Sequence, residues 1–272
     1  MTKSLFNAIV ILDAVPEDEI NPAQLLRWTL KSTNELTVQY LRLNTMNDLQ
    51  AGMRTTLNEI QNNDLKPWLH LNGHGLEDQS GFVFANGSPC RWDELRQLIT
   101  PLNEELRLNL YLILATCFGG SFARAIDTTD RAPVLGLIGP INDVDGAELV
   151  DVFSDFYRTL YRTQSFSKAL NKLDTKTQSS YYRTTAEDFF CDVWNFYMRN
   201  LCNEEEIENR VRVIRKQYKK QNTHSSPCSV GQLKRTFRRE NPVLFEKFRN
   251  HYFMYDLYEG NKERFSLTLP SS

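Results

Sequence analysis

The chain of 272 residues contains only four histidines, and its five cysteines are widely scattered without a C-x-x-C pair. An odd number of scattered cysteines argues against a framework of structural disulfides and favours a reducing cytoplasm. The histidines and cysteines also lack the ligand spacing of a zinc site. We therefore expect neither a bound metal nor another cofactor.

Long apolar runs are missing as well. No run approaches the length of about 20 residues that a membrane-spanning helix needs. The first fifteen residues have no basic segment and no small-residue cleavage site, so we expect no signal peptide. The apolar content of 41% and charged content of 24% are those of an ordinary soluble protein.

Charge is distributed unevenly along the chain. Residues 1–150 contain 11 Lys/Arg and 19 Asp/Glu, whereas residues 151–272 contain 21 and 15. This asymmetry predicts that the two halves have different roles or dock on each other. The basic stretches 210–220 and 234–239 contain interleaved aromatic residues, as nucleic-acid-binding segments do. Because solvated helix faces carry the same charges, we do not expect nucleic acid to be the main partner.

The first half alternates apolar runs with helical patterns, which predicts a three-layer α/β/α domain with a mostly parallel sheet over residues 1–170. Residues 171–186 look like a linker or an exposed loop. Residues 171–272 are predicted to form a mainly helical extension packed on the core. The strands are predicted at 6–12, 36–43, 67–72, 108–115 and 132–139.

Polar residues follow several of these predicted strands. Asp13, His74, Cys117 and the segment 142–145 all lie at strand carboxyl ends. In an open parallel sheet, functional residues collect beyond the carboxyl ends of the strands. The sequence therefore predicts that these residues share one edge of the sheet.

Cys117 lies in ATCFGG, between a buried strand and a predicted helix that begins at residue 119. A helix N-terminus stabilises a thiolate, so this position predicts a lowered thiol pKa. The adjacent glycines would let a substrate backbone approach closely. The alternative is that Cys117 is a small buried apolar residue, as most free cysteines are.

His74 lies in HLNGHG, 43 residues before Cys117, and is followed by Gly75. Its ring can lie over the sheet edge, and the Gly75 N–H can donate to an oxyanion. The alternative is a turn histidine bonded to backbone. His70 falls inside the predicted strand and is expected in the core.

The order of these motifs resembles that of the caspase-like cysteine peptidases of clan CD, most closely the bacterial caspase-like group called CHAT. The resemblance covers roughly residues 5–165 and rests on PWLHLNGHG, SGFVFANG, RWDELRQLI and LNLYLILATCFGG. It implies that His74 is the catalytic histidine and Cys117 the nucleophile of a dyad with no required carboxylate. It also implies that the N–H groups of Gly75 and Cys117 form the oxyanion hole.

The resemblance further implies a protein substrate, a regulated role in defence or programmed death, and leaves open an upstream activating or sensor protein. Two features depart from caspases. The glutamine of the caspase motif is missing from ATCFG, and about fifteen residues after the cysteine leave little room for an excised linker. An inactive caspase-like scaffold and a phosphatase remain alternatives, although the phosphatase pattern C-x5-R is here C-x6-R, with Arg124.

Substrate preference is predicted from the residues that would line the pocket beside Cys117. By the resemblance, these places hold Asp13, Ala115-Thr116 and the segment 142–145. None of them is Arg or Lys, whereas Asp13, Asp143 and Asp145 are acidic. Because carboxylates bind a cation through charge-assisted hydrogen bonds, we expect cleavage after Arg or Lys. The alternative for Asp143 and Asp145 is a role as turn or helix N-cap residues.

Overall fold

The computed structural model describes residues 6–31, 37–163, 165–176, 181–220 and 228–269. The chain divides into two compact units. The first comprises Met1–Asp127 and Arg131–Ala186, and the second comprises Thr128–Asp130 and Glu187–Ser272.

The first unit is built from alternating strands and helices. Its strands are β1 (Ala8–Asp13), β2 (Thr37–Arg42), β3 (Pro67–Asn72), β4 (His74–Gly75), β5 (Gly81–Val83), β6 (Pro89–Arg91), β7 (Tyr111–Ala115), β8 (Gly136–Pro140) and β9 (Tyr181–Thr185). Its helices are α1 (Pro22–Lys31), α2 (Met46–Asn63), α3 (Trp92–Glu105), α4 (Gly146–Thr163) and α5 (Phe166–Lys176), with a 3-10 helix at Gly119–Ala125.

Within the described residues, six strands form one sheet in the order β2-β1-β3-β7-β8-β9. The first five are parallel, and β9 pairs antiparallel with β8. Strands β4, β5 and β6 form a separate small antiparallel sheet. The predicted α/β architecture with a mostly parallel sheet is confirmed.

Helices cover both faces of the large sheet, which explains why its central strands are apolar at nearly every position. On one face, Val10 and Leu71 belong to a core with Met53 of α2 and Ile99 of α3. On the other, Trp68 lies 6.4 Å, centroid to centroid, from Phe156 of α4. The alternation of side chains along each strand distributes the apolar residues between these two layers.

The interpretation of residues 171–186 as a linker or exposed loop is wrong for most of this segment. Helix α5 continues to Lys176, and Tyr181–Thr185 form the edge strand of the large sheet. The stretch YYRTT has few aliphatic residues, and its side chains are only partly buried. Its strand conformation comes from pairing with β8, which a local apolar pattern does not reveal.

The second unit is helical, with α6 (Ala186–Leu201), α7 (Glu204–Lys220), α8 (Val230–Tyr252) and α9 (Asn261–Arg264). Its core is aromatic: the Phe190 ring lies 5.7 Å from Phe245 and 5.2 Å from Tyr252. Helix α8 continues through Pro242 instead of beginning there. The proline removes one helical hydrogen bond, and the buried Phe245 lies three residues further along the same helix.

Two absences hold for the part of the chain that the structure describes. No helix there is both long and apolar enough to cross a bilayer. No group of three or more His, Cys, Asp or Glu side chains there is arranged to hold a metal ion.

Candidate active site

The two motif-bearing strands are neighbours, and their ends are aligned. β3 pairs in parallel with β7, with Asn72 opposite Ala115. His74 and Gly75 follow the first strand, and Cys117 follows the second. A Cβ built on Gly75 would lie only 2.0 Å from the Cys117 carbonyl oxygen and 3.3 Å from its Cβ. The fold therefore places the His-Gly turn directly against the cysteine backbone.

The thiol of Cys117 lies under the segment that follows β8. Its Sγ is 3.9 Å from the Val144 carbonyl oxygen, to which the thiol donates. One residue on, the Phe118 N–H donates to the Asn142 carbonyl oxygen at 3.3 Å. Residues 142–145 are therefore neighbours of the sulfur, as the sequence predicted.

The electrostatics of Cys117 differ from the prediction. Burial raises the pKa of the Cys117 thiol, and the Asp143 carboxylate raises it further, while a backbone hydrogen bond at Val144 works in the opposite direction. The segment Gly119–Ala125 is a single 3-10 helix and not an α-helix. The predicted lowering of the thiol pKa is wrong for this structure.

The turn after Cys117 is strained and tightly packed. Phe118 adopts a left-handed conformation with φ 57°, which is uncommon for a residue other than glycine. A Cβ on Gly120 would lie 2.6 Å from the Tyr182 Cβ, and one on Gly139 would lie 2.6 Å from the Gly119 carbonyl carbon. The Gly-Gly pair therefore lets this turn pack closely on the sheet.

The His74 side chain is half exposed, with 54% of its surface accessible. Its Nε2 lies 2.8 Å from Oε2 of Glu19, whose side chain is 44% exposed. Glu19 belongs to the loop between β1 and α1. Sequence reasoning did not identify Glu19, although the acidic triplet Glu17–Glu19 follows the end of the first strand.

Asp13 has a different role from the predicted one. It is fully buried, with 0% of its surface accessible. Its carboxylate accepts hydrogen bonds from the Val15 N–H at 3.0 Å, Asn21 Nδ2 at 2.7 Å, the Tyr40 hydroxyl and the Arg42 guanidinium at 2.8 Å. Both oxygens are occupied and the charge is paired with Arg42. Because this carboxylate is buried and already engaged, Asp13 is not available to bind a substrate cation.

The two other predicted pocket residues also differ from each other. Asp145 Oδ1 accepts from the Ala147 N–H at 2.7 Å, which makes Asp145 the cap of α4. Asp143 is exposed, and its carboxylate raises the pKa of the Cys117 thiol. Of the three predicted acidic residues, Asp143 has the position that suits contact with a substrate.

His70 lies in the core, as predicted from its place within the strand. Its Nδ1 is 2.9 Å from the Tyr157 hydroxyl, and its ring packs edge-on against Phe153 at 4.9 Å. Complete burial lowers the pKa of His70 to about 3. A neutral, enclosed imidazole cannot exchange protons with a substrate, so His74 is the histidine available at the surface of this site.

An open groove of about 590 Å³ runs past the Glu19 side of the site. Its apolar lining is well exposed: 85% of Ile20 and 64% of Trp28 are accessible. The polar lining consists of Glu17, Glu19, Asn21, Gln24, Tyr40 and Arg42. A second cavity of about 350 Å³ shares Ile20 and Leu25 with this groove.

Comparisons with known proteins identify no family model and no curated protein that matches the chain. Among solved structures, the chain is similar to the crystal structure of the Drosophila initiator caspase Dronc, at 12% sequence identity and a TM-score of 0.46. The match covers 67% of this chain and 81% of that chain. At this identity, the likeness concerns the fold alone.

Proposed function

We propose that this chain is a caspase-like cysteine peptidase in which Cys117 is the nucleophile and His74 the acid and base. The observation that carries this proposal is the contact between Gly75 and the Cys117 carbonyl, where a Cβ would be 2.0 Å away. This contact brings His74, Cys117 and the main-chain N–H groups of Gly75 and Cys117 to one edge of the sheet. That set of groups serves nucleophilic acyl transfer.

The proposed reaction has two stages. His74 takes the thiol proton, the Cys117 sulfur forms a bond to the substrate carbonyl carbon, and the carbonyl oxygen becomes negative. The N–H groups of Gly75 and Cys117 are the proposed donors to that oxyanion. As the C–N bond breaks, His74 donates its proton to the leaving amine. Water then attacks the thioester carbonyl and gives a proton to His74. The C–S bond breaks, the carboxylic acid leaves, and His74 returns the proton to the Cys117 sulfur.

We propose that the peptidase cleaves after Arg or Lys and that Asp143 binds the basic side chain. Asp143 is exposed and close enough to raise the thiol pKa, whereas Asp13 and Asp145 are engaged with the protein itself. A cation bound there would neutralise the carboxylate that disfavours the thiolate. The proposed preference for a basic residue therefore rests on Asp143 alone.

We also propose that the chain belongs to the CHAT group, acts on a protein substrate in a regulated defence or cell-death pathway and depends on an upstream activating protein, as the sequence motifs quoted above imply. A cytoplasmic location is proposed from the odd number of scattered cysteines. The raised pKa of Cys117 suits an enzyme whose resting state has low activity and is activated by a partner or substrate.

The test is covalent labelling with acyloxymethyl ketone peptides that carry Arg, Lys or Asp next to the warhead. We expect the Arg and Lys probes to modify Cys117 in the intact chain, as read by peptide mass spectrometry. Labelling should be lost in Cys117→Ala and His74→Ala, and the double variant should be no worse than either single one. Cys191→Ala is the matched control, because Cys191 is also half buried with a raised thiol pKa. Labelling that is independent of His74 would contradict the proposed dyad.

An inactive scaffold is the second candidate, and one observation favours it. The Cys117 thiol donates to the Val144 carbonyl, and its pKa is raised by burial and Asp143. A scaffold protein uses only the fold, so a thiol with a raised pKa does not impair its role. This candidate predicts that none of the three probes labels Cys117 faster than Cys191.

A further inference from the structure

We infer that Glu19 is a positioning residue for His74, so that the site works as a Cys117–His74–Glu19 arrangement. This inference rests on the proposed function, because it assigns Glu19 a role in the same reaction. The contact that carries it joins His74 Nε2 and Glu19 Oε2 at 2.8 Å.

The direction of this hydrogen bond determines which ring nitrogen can react. A carboxylate accepts hydrogen bonds, so His74 donates its Nε2–H to Glu19. In the neutral ring, Nδ1 then holds the free lone pair and is the atom that can take the thiol proton. When the ring becomes an imidazolium, the Glu19 carboxylate stabilises its positive charge.

The loop that carries Glu19 is anchored by buried groups. Asp13 accepts from the Val15 N–H and from the Asn21 side chain, so one carboxylate joins both sides of the loop. Asp13 is in turn paired with Arg42 of the neighbouring strand. Glu19 is therefore presented from a fixed loop although its own side chain is half exposed. This arrangement gives the buried Asp13 a supporting role in the site.

The experiment measures the rate at which iodoacetamide alkylates Cys117 at pH 7.5, a readout that needs no substrate. The variants are Glu19→Ala, Glu19→Gln, His74→Ala and the Glu19→Ala/His74→Ala double variant. Glu17→Ala is the matched control, since it removes an exposed carboxylate from the same loop. Denaturant unfolding of each variant verifies that the first unit stays folded.

We expect Glu19→Ala to slow alkylation about fivefold, the scale of one partly exposed ion pair. Glu19→Gln should recover part of the rate, because the amide oxygen still accepts from Nε2. Glu17→Ala should react like the unchanged chain. Glu19→Ala should have no further effect once His74 is removed, because Glu19 acts through that ring.

The inference would be overturned by an unchanged alkylation rate in Glu19→Ala, by an equal loss of rate when Glu19→Ala is added to His74→Ala, or by an equal loss of rate in Glu17→Ala. A faster rate in Glu19→Ala would also overturn it, since the pair would then hold the ring away from the sulfur. If His74→Ala itself leaves the rate unchanged, the proposed dyad fails, and the inference fails with it. For any peptide that is cleaved, Glu19→Ala should lower kcat and leave KM nearly unchanged.

Discussion

Gly75 and Cys117 are in direct main-chain contact, although 41 residues lie between them in the chain. A Cβ at position 75 would overlap the Cys117 carbonyl oxygen at 2.0 Å and its carbon at 2.9 Å. Only a residue without a side chain fits there. This contact holds together the two turns that carry the candidate dyad.

Gly75→Ala should therefore displace one turn from the other. We expect loss of Cys117 labelling and a drop in the free energy of unfolding of about 2 kcal/mol or more, because both clashing atoms belong to backbone. Gly231→Ala is the control, since a Cβ there meets nothing within 4 Å in α8. That control should be neutral or stabilising by up to about 1 kcal/mol. Normal labelling in Gly75→Ala would contradict the described contact.

Asp143→Asn should make Cys117 more reactive in the absence of substrate. The Asp143 charge raises the thiol pKa, so its removal lowers that pKa and moves the alkylation profile toward lower pH. We expect severalfold faster iodoacetamide labelling of Cys117 at pH 7.5. Asp145→Asn is the control, because asparagine still caps α4 and Asp145 does not contribute to the thiol pKa. Equal acceleration in both variants would rule out a specific effect of Asp143.

A small guanidinium ligand should reproduce the effect of that substitution. Agmatine bound at Asp143 would neutralise the carboxylate, so we expect it to accelerate iodoacetamide labelling of Cys117 in the unchanged chain. Asp143→Asn should abolish the acceleration. A neutral ligand of similar size, n-butyl urea, should have no effect. An agmatine effect that persists in Asp143→Asn would place the cation elsewhere.

The buried His70 should make the first unit sensitive to acid. Burial lowers the pKa of His70 from 6.5 to about 3, so the unfolded chain binds a proton that the folded chain does not. The stability that this neutral ring contributes is complete above about pH 6.5 and is lost as pH falls toward 3. The loss should approach about 1.4 kcal/mol per pH unit.

Urea unfolding at several pH values between 7.5 and 4.5 measures this slope. Tyr157→Phe removes the hydrogen-bond partner of His70 but keeps the His70 imidazole buried. The slope of unfolding free energy against pH in this variant should therefore match that of the unchanged chain. His70→Phe in the Tyr157→Phe background should flatten the slope. An equal slope in the single and double variants would mean that other groups cause the acid loss.

The basic stretch Arg210–Lys220 should not be a nucleic-acid site. Part of the positive charge near it is already paired, since Lys234 lies 2.6 Å from Glu204 and 2.7 Å from Glu208. We expect no micromolar, salt-dependent binding of DNA or RNA in fluorescence anisotropy at 150 mM salt. Binding that is lost when Arg215, Lys216, Lys219 and Lys220 are neutralised would contradict this prediction.

The sequence by itself determined the five parallel strands of the first unit and their order along the chain. Near-continuous apolar runs such as residues 6–12 become strands covered on both faces, as β1 is. The same runs determine where each parallel strand ends, and hence that His74 and Cys117 lie at one edge. These features are local, because the period and length of an apolar run follow from neighbouring residues.

The tertiary structure alone decided the partners and charges of the site. Strand pairing sets Arg42 opposite Asp13 and brings Tyr40 to the same carboxylate. Asp13, which was expected in the substrate pocket, is therefore buried and anchors the loop after β1. The loop after β1 carries Glu19 to His74, and burial with Asp143 raises the pKa of a thiol for which the sequence predicted the opposite. Ion pairing and desolvation depend on residues distant in sequence, and a local pattern contains no information about them.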